Sequence, residues 1–144
     1  MREILFRGKG TGGYHNGKWV YGFYVKDFWG KERKGHGIIP INDEDGGYCE
    51  VDPETVGQYT GLTDKNGTKV FEGDVISIPF EEDRSPWEEN CIYYENGEVY
   101  FSAEHRGWYV RFWDNETLSL WEYDELDIEI IGNIHDNPEL LKGE

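Results

Sequence analysis

The chain has 144 residues and a net charge of −16, with 30 Asp and Glu against 14 Lys and Arg. That length suits one domain or two tightly joined subdomains, and that charge opposes contact with a phosphate backbone or an anionic membrane surface. Only 37% of residues are hydrophobic, yet 16% are aromatic, which gives enough burial per side chain to exclude a disordered chain.

Taken in order, Glu3–Arg7 alternates as a first strand with Ile4 and Phe6 on one face. Gly8-Lys9-Gly10-Thr11-Gly12-Gly13 then satisfies the Gly-x-Gly-x-x-Gly pattern. A dinucleotide loop needs a helix directly behind that pattern. Here Tyr14-His15-Asn16-Gly17-Lys18-Trp19 follows instead, a turn flanked by aromatics, so the glycines are expected to join two strands. Trp19–Phe28 reads as the next strand, Gly30–Gly37 as a polar basic turn, and Ile38–Ile41 as another strand. The acidic turn Asn42–Gly47 puts Asp43, Asp45 and Gly46 at three positions of a calcium loop. Ile41 then falls where the first ligand should be, with no oxygen to offer, so calcium is not expected.

Tyr48–Val51 leads into the most punctuated stretch, Asp52–Ile76. Asp52 suits a helix N-cap and Pro53 a first helical position, because proline's missing N–H would have no partner there. Tyr59–Leu62 reads as a strand and Asp64-Lys65-Asn66-Gly67 as a tight turn needing positive φ at Gly67. Asp64 and Asp74 are expected to serve the backbone of their turns. Val70-Phe71 returns, and Glu72-Gly73-Asp74 turns the chain into Val75–Ile78.

Beyond it, Glu81–Asn90 reads as an exposed acidic loop, and Cys91–Tyr94 is predicted to pair with Glu98–Phe101 across a turn at Glu95-Asn96-Gly97. Strands follow at Trp108–Trp113, Thr117–Trp121 and Leu126–Ile134, with Asn137-Pro138 opening a short terminal helix. Short strands with no long helical period predict an all-β fold. The expected architecture is a short-strand meander: an N-terminal β subdomain over 1–69 with the central helical turn, and a small SH3-like barrel over 70–144 ending in a short helix.

The Asp52–Ile76 stretch resembles the central motif of the YopX-like family of phage and prophage proteins, which joins Pro-Glu-Thr-Val-Gly-Gln-Tyr-Thr-Gly-Leu to an Asp-Lys-Asn-Gly turn and a Glu-Gly-Asp segment. Met1–Gly8 with Trp19-Val20-Tyr21-Gly22 resembles the family's start, and Ile130–Leu140 its end. Residues 80 to 125 match only loosely. The resemblance implies a phage or prophage setting and assigns no catalytic residues.

His15, His36, His105 and His135 are scattered without ligand spacing, and Cys49 and Cys91 form no short Cys-x-x-Cys pair. With no nucleophile elbow or Walker loop either, no catalytic residue, cofactor or metal is expected. No leader and no run near the ~20 apolar residues of a membrane span point to the cytoplasm of a bacterial host. The remaining candidates are two tryptophans among carboxylates: Trp87 with Glu88 and Glu89, and Trp121 with Glu122, Asp124 and Glu125. Trp anchors interfaces and the acids would steer a basic partner. The expected function is a non-enzymatic accessory protein that binds a protein partner or itself, a homo-oligomer included. The alternatives are an acidic mimic of DNA that inhibits a nuclease or restriction enzyme, and an enzyme with an unrecognised carboxylate or histidine site.

Overall fold

The structure, a computed structural model, describes residues 3–26, 35–41, 47–122 and 127–141. The chain is all-β, built of two antiparallel sheets, and forms two compact units, Met1–Gly61 and Leu62–Glu144.

In the first unit β1 (Phe6–Lys9), β2 (Trp19–Lys26), β3 (His36–Pro40), β4 (Cys49–Glu50) and the start of β5 (Gly57–Thr63) lie in the order β4-β3-β2-β1-β5. Their side chains alternate, as a strand requires. Val20, Ile38, Cys49 and Val51 point to one face and make the core, with Phe6 and Val56 packed against them. Gly22 lies so close to β3 that a Cβ there would sit 1.9 Å from the Ile39 carbonyl oxygen. The glycine run leads through a 3-10 turn, Gly13–His15, and a further turn at residues 16–18 into β2. It is a strand connection, as expected, and no helix stands behind it to face a phosphate. Asp52 caps a second 3-10 turn, Pro53–Thr55: its carboxylate accepts from Glu54 N–H at 3.0 Å. The Lys9 amide donates to Thr55 Oγ1 at 2.9 Å, which fastens that turn to β1.

The second unit begins inside β5, and the Asp64–Gly67 turn reverses the chain into β6 (Lys69–Phe71). Two hydrogen bonds tie the turn to the chain before and within β11 (Glu129–Asn133): Lys65 N–H donates to Ile128 C=O at 3.0 Å and Ile130 N–H donates to Asp64 Oδ2 at 3.0 Å. There follow β7 (Asp74–Glu82), β8 (Cys91–Ser102), β9 (Gly107–Phe112), β10 (Thr117–Ser119), a 3-10 turn at Leu120–Glu122, β11 (Glu129–Asn133) and a last 3-10 turn at Pro138–Leu141. Their order is β10-β9-β8-β7-β11, so β10 and β11 are the outer strands of this sheet. Both are short, which limits edge-to-edge association. The core gathers Val70, Ile76, Ile78, Val99, Val110, Leu120 and Ile128, each at most 1% exposed.

Three expectations change. The turn at Glu95-Asn96-Gly97 does not form, and β8 runs unbroken from Cys91 to Ser102. Gly97 is there for closeness: a Cβ would lie 2.2 Å from Val110 Cγ1. The acidic loop is shorter than expected, because β7 continues through Pro79 to Glu82 and pairs with β8 as far as Cys91. The short terminal helix is a 3-10 turn of four residues, while the expected central helical turn forms as a 3-10 turn of three. The expected calcium-like turn, Asp43 and Asp45 included, lies outside the described residues.

Candidate functional site

Beyond Ser77 the β7–β8 pair outruns its neighbours. β11 pairs with β7 from Asp74 to Ser77, β9 pairs with β8 from Gly97 to Ser102, and β7 and β8 continue together out to Glu82 and Cys91. The result is a two-stranded arm. Residues directly opposite in an antiparallel pair share a face. One face of the arm carries Ile78 and Phe80, which reach the core, with Phe80 stacked on Tyr93 at 5.6 Å. The other carries Ser77 opposite Asn96, Pro79 opposite Tyr94 and Glu81 opposite Ile92. Tyr94 and Ile92 are 67% and 61% exposed.

Two adjoining hollows, of about 370 and 270 Å³, lie along that outer face and share Lys65, Tyr94 and Asp127. Pro79, Phe80, Glu81 and Ile92 complete the lining of the larger, and Ser77 and Glu129 that of the smaller. Lys65 reaches in from the turn after β5 and pairs with Glu129 at 2.9 Å. That hydrogen bond and the Glu129 charge raise the Lys65 pKa above its ordinary value. Lys65 is positioned from behind by Asp64, only 4% exposed, whose carboxylate accepts from the amides of Asn66, Thr68 and Ile130. Burial alone would push the Asp64 carboxyl up, but these hydrogen bonds outweigh it and hold the pKa below the usual value. Asp127 is exposed, with no hydrogen-bond or ion-pair partner among the described residues. The hollow therefore offers an aromatic face, an aliphatic wall and carboxylates, a set that holds a cation beside an apolar group.

A family model described as YopX protein matches residues 14–142. The chain belongs to the YopX family. Among solved structures, protein EF1440 from Enterococcus faecalis aligns with this YopX chain over 99% of its length and 100% of the other, at 21% identity and a TM-score of 0.51, which shows a shared fold. No curated protein matches it.

The sequence-predicted contact residues of this YopX chain do not gather into one site. Trp87, Glu88 and Glu89 lie in the loop that tips the β7–β8 arm, where Trp87 is 93% exposed and Glu88 N–H donates to Ser85 C=O at 2.9 Å. Trp121 lies on the 3-10 turn after β10, which buries Leu120 and leaves Trp121 62% exposed. By register that turn follows Ser119, opposite Tyr109, itself opposite Tyr100. It thus neighbours the end of β8 away from the tip, with much of that strand between the two tryptophans. Glu122 ends the same 3-10 turn, and Asp124 and Glu125 fall outside the described residues.

The histidines stay apart. His15 sits on a 3-10 turn, His36 on β3 against the Tyr24 hydroxyl, and His135 in the turn after β11. Ser102 Oγ meets His105 Nδ1 at 3.1 Å and also accepts from the His105 amide at 3.2 Å. With Ser102 buried, that pair closes the β8–β9 turn and does not present a nucleophile. Among the described residues, no group of three His, Cys, Asp or Glu stands where it could hold a metal, and no helix is long and apolar enough to cross a membrane. Lys65, Tyr94 and Asp127, which share the two hollows, were not singled out from the sequence, because what unites them is the return of β11 beside β7.

Proposed function

We propose that this chain is a phage or prophage accessory protein of the bacterial cytoplasm that works without catalysis, by gripping a second protein along the β7–β8 arm. One observation carries this. A two-stranded ribbon gains little stability by itself, yet this one holds Ile92, Tyr94 and Trp87 out in solvent. Large exposed aromatic and aliphatic side chains along one arm anchor interfaces. The strand order, a four-strand meander whose fifth strand returns beside the first after a 3-10 turn, supports an SH3-like reading of this unit. The net charge of −16 disfavours a second copy as the partner, since two such chains repel.

Trp87 provides the test. Its replacement by Ala is expected to change unfolding free energy by less than about 0.5 kcal/mol, as for an exposed side chain away from any packing. A photo-crosslinking phenylalanine analogue at position 87, illuminated in phage-bearing cells, should join the protein to one discrete partner. Crosslinks only between copies of this chain would turn the reading to self-association, and none at all would reject the arm as a contact.

A further inference from the structure

The outer face of the arm is specific enough to name the chemistry of what lies on it. We infer that it binds an extended peptide segment in which an Arg or Lys alternates with aliphatic residues, the cation entering between Tyr94, Asp127 and Glu129 and an aliphatic side chain resting on Pro79 and Ile92. This deepens the proposed function and rests on it.

The spacing of the two hollows sets the peptide's conformation. The smaller is lined by Ser77 and the larger by Pro79 and Glu81, successive same-face residues of β7. Such residues stand about 6.7 Å apart along a strand, the interval at which an extended peptide presents its own alternate side chains. A helix, whose neighbouring same-face residues advance by about 5–6 Å and then leave a straight groove, matches it less well.

The charge sets the residue type. Among the described residues, Tyr94 and Asp127 line both hollows, with Glu129 in the smaller and Glu81 in the larger, against the single cation Lys65. Lys65 already satisfies Glu129, while Asp127 has no partner among the described residues. A guanidinium can lie on the tyrosine face and reach a carboxylate with its edge in one pose. An acidic segment would meet three carboxylates, and so would a second copy of this chain. The outward-facing apolar residues of the larger hollow, Pro79 and Ile92, require something aliphatic next to that cation, which a bare polycation does not supply.

Fluorescence anisotropy on the full chain tests this with a labelled alternating Val-Arg peptide, an alternating Val-Glu peptide and an alternating Gly-Arg peptide. The Val-Arg peptide is expected to bind at least tenfold more tightly than either of the others. Asp127→Asn and Tyr94→Ala should each weaken it about tenfold without lowering the melting temperature, since both side chains are exposed. Lys65→Ala should strengthen it severalfold, because Glu129 is then released to the peptide. That gain is what a merely structural role for the groove would not produce. Equal binding of the Gly-Arg peptide, or of all variants, would mean attraction to the net charge alone and would overturn the inference. So would no binding by folded protein. If position 87 still crosslinks to one partner while every peptide fails, the arm is a contact but its partner has other chemistry.

Discussion

Replacing Asp64 by Ala is expected to destabilise the C-terminal unit by about 3–4 kcal/mol, because three amide donors lose a charged acceptor in one step and each such bond is worth about 1.5–3 kcal/mol before water and relaxation recover part of it. The amides belong to Asn66 and Thr68 in the turn and to Ile130 on β11. The loss therefore loosens the turn and also its attachment to the sheet. For a unit of this size it corresponds to a fall in melting temperature of roughly 15–20 °C. Calorimetry of the variant reads it directly, and a change below about 1 kcal/mol would show that Asp64 is not the fastening the geometry makes it. Lys65 should suffer too, since its ion pair with Glu129 depends on where the turn lies. Peptide affinity in Asp64→Ala would therefore shift together with stability, which separates it from Asp127→Asn.

The sign with pH follows from the direction of the Asp64 shift. Its carboxyl is held below the ordinary value in the folded state, so the unfolded chain binds the proton more readily. The stabilisation is fully present above the unfolded value of about 3.9 and drains away as pH falls through the folded one. Asp64→Asn keeps an acceptor but not the charge. The stability difference between wild type and Asp64→Asn should accordingly be flat from neutral pH down to about 5 and shrink below 4. Taking the difference cancels the other carboxylates, which titrate in both proteins.

Those turn residues were legible in the sequence because the forces that place them are local. Asp52 before proline caps the turn that follows it, Gly67 takes φ 80° in the Asp64–Gly67 turn, and Gly73 takes φ 92° before β7. Each needs only its immediate neighbours. The all-β class was legible for the same reason, since alternation and turn chemistry recur throughout the chain. What the sequence hides is long-range. Asn96-Gly97 has the composition of a hairpin turn, and nothing nearby reveals that Val110 and Phe112 will press on that glycine from β9. Trp87 could be picked out as an exposed residue among acids, whereas Tyr94 looked like one more strand aromatic. Its exposure depends on where β9 and β11 stop, which is a property of the sheet. Lys65, Tyr94 and Asp127 are far apart in the chain, and only the pairing of β11 with β7 brings them to one groove.

Gly97 tests this distinction between a turn glycine and a packing glycine. Strand propensity alone favours valine over glycine by up to about 1 kcal/mol in the middle of a strand, so Gly97→Val should stabilise a chain in which only the local backbone mattered. The expected result here is the opposite, a loss of about 3 kcal/mol, the upper end of the usual overpacking range. The new Cβ would start 2.2 Å from Val110 Cγ1 and 3.2 Å from Phe112 Cε1, and Val110 is fully buried and Phe112 nearly so. Neither can swing into solvent. A second substitution identifies the cause. Val110→Ala by itself should cost about 2 kcal/mol by leaving a cavity, but combined with Gly97→Val it opens the space the new methyl groups need. The double variant should then be more stable than the sum of the single losses by about 0.5–3 kcal/mol, the range of coupling between residues in contact. Strict additivity would place the clash elsewhere. A Gly97→Val protein as stable as wild type would mean that β8 does not pass under Val110 at all, and that the chain turns at Asn96-Gly97 as its local composition suggests.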